Sequence, residues 1–291
     1  MTSALEQAQQ QLAELVDAAR KGAIIPVRLT GQLEAIQTLL AQAGDEAAKT
    51  AAAPPPDQAE FLREQAYFVS HAIHELRTPM TSIRGYADML VSMGSGSGLN
   101  DMQKGFLETI RGNARRMEGL LTDVSDMAKL RSGVLKMTEK MDMFKNVAMM
   151  VEKNMRPLAD QLNKTLTLDI PQGLPILNTD GELLAKAITK LVENGLRYSN
   201  ENGAVTLRGA SQGSKLVITV SDNGIGMSPE DLAQLGKIYF RSENELVRSF
   251  KGSGLGIPIA YGIVRMLGGT ISVESALEQG TTFTITLSGM S

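Results

Sequence analysis

The 291-residue sequence contains no cysteine and no tryptophan, and only 4% of it is aromatic. Without cysteine there is no disulfide, no zinc-thiolate site and no thiol nucleophile. With so few aromatics, Ala, Leu, Ile, Val and the 16 methionines must fill the core, which favours helices. Histidine is equally scarce: the only two, His71 and His74, stand three residues apart. The net charge is −3 and no basic stripe interleaved with aromatics is present, so the chain does not read as a nucleic-acid binder. No apolar run approaches the roughly 20 residues that span a bilayer. The start, "MTSALEQAQQQLAEL", lacks the basic-then-apolar layout of a secretory signal. These absences predict a soluble, cytoplasmic protein with no membrane segment within the chain.

The length predicts about two domains. Residues 3–20 and 31–43 carry apolar residues at helical spacing, and "GDEAAKTAAAPPPDQ" reads as a linker stiffened by three prolines. Residues 1–57 are therefore expected to form an N-terminal helical input or dimer region, to which an upstream sensory partner would dock. A long helix is predicted from Gln58 to about Met93 and a second from Asn100 to about Leu130, separated by a Gly/Ser-rich turn. Phe106, Ile110, Met117, Leu120, Leu121, Val124, Met127 and Leu130 form one stripe of the second helix. A single hairpin cannot bury both its stripes, so a homodimer making a four-helix bundle is expected.

After Gly133 the pattern changes. Alternating apolar segments at 165–170, 205–208, 216–221, 270–275 and 282–287 predict strands. Helical patterns at 144–162, 180–198, 229–235 and 258–267 lie between them. The fold class expected is an α+β sandwich with helices on one face of a mostly antiparallel sheet.

Within that region "SDNGIGM" (221–227) follows a strand, and "KGSGLGIPIAYGIV" (251–264) opens a helix whose first turn suits Pro258. Gly-rich turns feeding a helix N-terminus bind phosphate anions, although each string read alone is equally a plain turn. Neither is a P-loop or a dinucleotide fingerprint. On the helix before them, Asn194, Arg197 and Tyr198 share a face, which serves either as an ordinary polar surface or as a site for a metal, a phosphate and a base.

In chain order stand "HELRTP", "ENGLRYS", "DNGIGM" and "GSGLGI", closed by the strand "GTTFTITL". This series, over roughly residues 58–288, resembles the two-component sensor histidine kinases. Residues 58–135 resemble their dimerisation and histidine-phosphotransfer domain. Residues 136–291 resemble the catalytic ATP-binding domain shared with type II topoisomerases and heat-shock ATPases.

The resemblance implies that His74 is the phosphoacceptor and His71 a flanking residue. A neutral imidazole offers a nucleophilic ring nitrogen near neutral pH. Glu75 is the implied partner of the other ring nitrogen, and Glu75 with Thr78 forms the "E-x-x-T" pair used by family members to orient water for phosphatase action. Arg77 is a further candidate on that face. Pro79 removes the amide that would bond the Glu75 carbonyl, at about 3 kcal/mol in a helix interior, which predicts a kink or loosening there.

For the nucleotide, the resemblance implies ATP and Mg²⁺. It puts Asp222 on the exocyclic amine of adenine, Gly224 and Gly226 beside the base, and Asn194 on Mg²⁺, with Arg197 and Tyr198 facing phosphate and base. Gly252, Gly254 and Gly256 bracket the triphosphate, and Thr282 closes the base pocket. Residues 236–251 read as an ATP lid carrying Arg241, a γ-phosphate contact or a solvated lid residue. Three positions depart from the family pattern. Lys190 stands where a second Asn is usual, and either contacts phosphate or displaces part of the metal site. Gly195 replaces an Ala, and Gly236 replaces a Phe ahead of Tyr239 and Phe240.

The function implied is an ATP-dependent histidine kinase that passes its phosphoryl group to the receiver domain of a separate response regulator. The alternatives are a degenerate nucleotide-binding scaffold and a serine-directed kinase or ATPase on the same fold.

Overall fold

A computed structural model describes residues 58–92, 100–250 and 252–289, together with residues 7, 10, 11, 14, 35 and 38. Those six positions are helical, and Gln10 donates to Glu14 across one turn at 3.1 Å. The rest of the N-terminal region and its proline linker lie outside the described residues. The chain divides into two compact units, Met1–Val134 and Leu135–Ser291.

In the first unit, helix α1 (Gln58–Ser92) and helix α2 (Asp101–Arg131) pack antiparallel. Asn100 caps α2: its side chain accepts from the Gln103 amide, and the Gln103 side chain accepts from the Asn100 amide. Gly133, at φ +67°, ends the helix, as the Val134 amide reaches back to the Lys129 carbonyl at 3.1 Å. The shared core is Ile73, Leu76 and Met80 against Ala114, Met117 and Leu121, flanked by Val69, Ile83 and Val124. Spacings of four and three along both helices are those of a coiled-coil seam. Arg84 pairs with Glu118 across the hairpin, and Arg111 approaches Asp88 at 3.8 Å. Towards the connecting turn Tyr86, Met89, Met102 and Phe106 are all exposed.

The second unit is a two-layer sandwich. Five strands run in the order β2 (Thr165–Asp169), β4 (Ala204–Gln212), β5 (Lys215–Asp222), β7 (Thr281–Ser288) and β6 (Thr270–Ser275). Only β2 with β4 is parallel. Val205, Leu207, Leu216, Ile218, Val220, Phe283, Ile285 and Leu287 are buried on one face. Between them Thr206, Thr219, Ser221, Thr282, Thr284 and Thr286 face the other way, an alternation set by the pleat.

Helices α3 (Phe144–Gln161), α4 (Gly181–Tyr198) and α7 (Gly256–Met266) cover the apolar face, with α4 in the middle. Leu184, Ile188, Leu191, Val192 and Leu196 make α4 the best-buried helix. A separate antiparallel pair, β1 (Lys140–Met143) with β3 (Ile176–Thr179), was not expected from the sequence. Its segments are four residues long, too short for alternation to stand out. Two short helices, α5 (Pro229–Gln234) and α6 (Glu245–Ser249), flank the segment 235–244.

Removing the Ile188 side chain leaves a cavity at the centre of this layer. Ile188→Ala should cost between about 2 and 5 kcal/mol, seen as a lowered urea midpoint for the transition of the second unit in the full chain.

Candidate nucleotide and phosphoacceptor site

His74 is exposed on α1, one position beyond the buried Ile73, and His71 is exposed one turn before it. The helix runs unbroken through Pro79, so the expected loosening does not interrupt it. The Thr78 hydroxyl donates to the His74 carbonyl at 3.4 Å, and Ser82 donates to the Thr78 carbonyl at 3.2 Å. These hydroxyls bond helix carbonyls in the turns around the missing proline amide. Arg77 is exposed, and the side chain of Glu75 lies outside the described residues.

In the second unit the site forms where α4 ends. Asp180 caps its start, with Oδ1 accepting from Leu183 at 3.0 Å and Oδ2 from Thr138 at 2.9 Å, so the strand-leading segment is tied to the helix. At its far end Asn194, Arg197 and Tyr198 are half-buried. Arg197 donates to Glu193 at 2.8 Å, an i,i+4 pair that holds the guanidinium on its own helix.

Beyond Tyr198 the chain is stitched to the glycine turn. Ile225 donates to the Tyr198 carbonyl at 3.1 Å, Ser199 bridges to Gly224, and Glu278 donates to the Ile225 carbonyl at 2.8 Å. The turn 222–226 thus lies between α4 and the β6–β7 connection.

That packing explains Gly224 and Gly226 without any ligand. A Cβ on Gly224 would lie 2.3 Å from the Tyr198 carbonyl oxygen. One on Gly226, at φ +63°, would lie 1.8 Å from the Ala276 carbonyl oxygen. Both glycines permit protein backbones to approach, a stronger requirement than space for a base.

Asp222 closes β5 inside this arrangement. Its Oδ1 accepts from Gly224 at 2.9 Å and from Thr281 at 3.3 Å, while Oδ2 makes no hydrogen bond among the described residues. Burial pushes the carboxyl above the usual Asp range, opposed by the two amides and by the Lys164 ammonium. A half-buried carboxylate with one uncommitted oxygen fits an N–H donor such as the exocyclic amine of adenine.

Thr282 does not face this carboxylate. The register pairs Asp222 with Thr281 and Ser221 with Thr282, whose hydroxyls meet at 2.9 Å on the opposite face. Thr282, expected to close the base pocket, thus stands on the face away from Asp222, while Thr281 contacts that carboxylate.

The expected lid is an organised loop. Arg241 donates to the carbonyls of Val247 and Phe250, so its guanidinium serves the loop itself. Ser242 donates to Asp231 at 2.7 Å, fastening the loop to α5. The Phe250 ring meets Tyr198 edge to face, with centroids 5.9 Å apart at 82°. Gly236, at φ +89°, lies against the ring of Tyr261, which occupies space next to the position expected to bear a phenyl ring. Gly254, at φ +70°, backs onto Tyr239, whose amide donates to the Gly254 carbonyl at 3.2 Å.

Gly252 has open space around its Cα, and Gly256 opens α7 beside the Lys190 side chain. The amides of the first turn of α7 form an anion site suited to phosphate. No group of three His, Cys, Asp or Glu that would hold a metal occurs among the described residues. A Mg²⁺ ion here would therefore take Asn194 and rely on phosphate and water oxygens for its other ligands.

Lys164, Thr281 and Phe250 were not picked out from the sequence. Only Thr281 carried a legible signal, since counting the pleat back from Phe283 puts it on the buried face.

Two family models match the chain. Residues 64–133 match the His Kinase A (phospho-acceptor) domain, and residues 179–289 match the histidine kinase-, DNA gyrase B- and HSP90-like ATPase. The chain is 29% identical over 223 residues to the histidine protein kinase DivJ of Caulobacter vibrioides, covering 77% of this chain and 37% of that one. It is 27% identical over 273 residues to the autoinducer 2 sensor kinase/phosphatase LuxQ of Vibrio cholerae, covering 90% and 31% respectively. The chain thus spans less than half the length of these curated relatives. The fold is similar to that of full-length ShkA, solved in complex with AMPPNP, at a TM-score of 0.63 and 22% identity over 77% of this chain and 46% of that one. No helix among the described residues is long and apolar enough to cross a membrane.

Asn in place of Asp222 keeps an Oδ1 acceptor for both amides and removes a charge that burial disfavours. Because the folded carboxyl is raised above its unfolded value, ionisation costs the fold stability once the pH exceeds the unfolded value. Asp222→Asn should leave the ligand-free melting temperature at pH 8 no lower than wild type. Adenine-nucleotide affinity should fall by about tenfold or more, measured by calorimetry. With a phospho-acceptor helical hairpin followed by an ATPase sandwich of this family, the chain belongs to the two-component sensor histidine kinases.

Proposed function

We propose that the chain is an ATP-dependent protein-histidine kinase that phosphorylates His74 and passes the phosphoryl group to an aspartate on the receiver domain of a separate response regulator. The observation that carries this reading is the presence in one chain of both family domains, with His74 exposed on the first. A neutral ring nitrogen of His74 attacks the γ-phosphorus of ATP; an N–P bond forms, the P–O bond to the β-phosphate breaks, and ADP leaves. Glu75 is the proposed partner of the other ring nitrogen and Asn194 the proposed Mg²⁺ ligand. Mg²⁺, when bound, supplies charge neutralisation of the phosphates. Residues 58–135 then act as the phosphotransfer domain, residues 136–291 as the catalytic domain, and residues 1–57 as the input region. The ATP pool it draws on puts the reaction in the cytoplasm.

The exposed apolar residues at the turn end of the hairpin support a homodimeric four-helix bundle. The Glu75–Thr78 pair, and a relative named as a kinase/phosphatase, support dephosphorylation of the regulator as a second activity. One observation favours the scaffold reading: Lys190, at a position where the family usually has an amide ligand, lies beside the start of α7.

With γ-labelled ATP and Mg²⁺, wild-type protein should take up acid-labile, alkali-stable phosphate. His74→Ala should abolish the label, His71→Ala should retain it, and Asn194→Ala should slow it by about tenfold or more. Nucleotide binding without any label would favour the scaffold. An acid-stable label, or one surviving His74→Ala, would overturn the histidine assignment.

A further inference from the structure

Residues 241–250 form a loop braced from within. Asn244 caps α6, its side chain accepting from the Leu246 amide at 2.9 Å. At the other end of α6 one Arg241 nitrogen donates to the carbonyls of Val247 and Phe250. A guanidinium placed there satisfies carbonyls that a helix end leaves without partners. Arg248 pairs with Glu243 and donates to the Ser242 carbonyl at 3.3 Å, which ties the two arms of the loop together. Ser242 in turn donates to Asp231 of α5 at 2.7 Å.

Phe250 stands where this brace ends, with extended backbone at φ −87° and ψ 129°. Its ring leaves the loop and meets that of Tyr198, the last residue of α4, with centroids 5.9 Å apart and planes at 82°. Both residues are half-buried. Because the brace already fixes the Phe250 backbone, docking the ring costs only the freedom of its two side-chain torsions.

Tyr198 is joined to the segment that carries Asp222. A Cβ on Gly195, one turn earlier on α4, would lie 3.4 Å from the Asp222 Cβ. The Tyr198 carbonyl accepts from Ile225 in the glycine turn at 3.1 Å. The ring that Phe250 covers is therefore borne by the same end of α4 that packs on the carboxylate.

We propose that Phe250 is an internal stand-in for the adenine ring: in the ligand-free protein it holds the aromatic contact of Tyr198 that the base takes on binding, so nucleotide entry is a competition with the protein's own side chain. This inference rests on the reading of Tyr198 as a base contact and adds the regulation of that site. A phenyl ring and a purine offer an aromatic neighbour the same kind of flat, polarised face, so one contact serves either occupant. An aromatic pair adds a modest preference beyond the area it buries, which a base can displace. Until it is displaced, apparent affinity falls in proportion to the fraction of molecules whose Tyr198 is free. A Phe250 that served instead as a wall of the pocket would have the opposite sign, since removing it would weaken binding.

The test is calorimetric titration of the full chain with ADP and, separately, with inorganic tripolyphosphate, which has no base. Phe250→Ala should bind ADP about twofold to tenfold more tightly than wild type, and tripolyphosphate no more tightly. Tyr198→Leu loses the same aromatic pair together with the base contact, so it should bind ADP more weakly than Phe250→Ala does. Weaker or unchanged ADP binding by folded Phe250→Ala would overturn the proposal and leave Phe250 a wall or a packing residue. An equal gain for tripolyphosphate would overturn it as well, because the ring would then obstruct the phosphates and not the base. Equal ADP affinities in Tyr198→Leu and Phe250→Ala would overturn the Tyr198 reading, and this inference with it. A second measurement uses the absence of tryptophan from the chain. In Phe250→Trp a lone indole reports on the contact, and its emission should move to longer wavelength on addition of ADP, as the ring leaves Tyr198 for solvent. Emission that stays fixed at saturating ADP would overturn the proposal independently of how the alanine variant folds.

Discussion

Asp222 occupies a position that disfavours its own charge, and the nucleotide half of the molecule is arranged around keeping it there. Its backbone ends β5 in the middle of the sheet, its Oδ1 takes two amides from different segments, and its remaining oxygen is left uncommitted. Each of those donors depends on a close approach. The Gly224 amide requires the turn to lie against the end of α4, and the Thr281 amide requires the Gly280 turn, whose Cβ would fall 2.0 Å from the Asp222 carbonyl oxygen. Burial that weakens the ionised form also strengthens any hydrogen bond it accepts. A solvated carboxylate would be more stable and would discriminate less.

The phosphoacceptor unit solves a different problem. Its seam of Ile73, Leu76 and Met80 against Ala114, Met117 and Leu121 fixes the register of two long helices, which leaves His74 outside the seam and exposed. In its proposed role His74 has to be accessible, whereas the helix bearing it has to be held. Placing the histidine next to a core position meets both needs. The proline one turn later removes one backbone bond, and the Thr78 and Ser82 hydroxyls bond carbonyls on either side of the gap.

Within the second unit the segment 236–250 is organised by its own groups. One Arg241 nitrogen donates to the carbonyls of Val247 and Phe250, and Phe250 is docked on Tyr198. The Tyr198 ring, expected to meet the base, here meets Phe250.

Much of this was legible in the residues alone. Periodicity located both long helices and the five strands of the main sheet to within a few residues, because burial on one face imposes a period of 3.6 or 2 on any chain that folds this way. The boxes around His74, Asn194, Asp222 and Gly252–Gly256 pointed to the two family domains that match the chain, since close backbone approach restricts the residue types. Gly226 was read as room for a base; a Cβ there would also fall 1.8 Å from the Ala276 carbonyl oxygen, and only the fold brings residues 226 and 276 together. Thr281 against Thr282 was decided by register, and Arg241 by which carbonyls the loop presents. Lys164 had no sequence signature at all: its ammonium meets the Ser199 carbonyl only because the fold brings the end of α3 under the end of α4. Local pattern determined what the elements are, while the partners of Asp222 were decided by tertiary packing, because a hydrogen bond depends on separation in space and not along the chain.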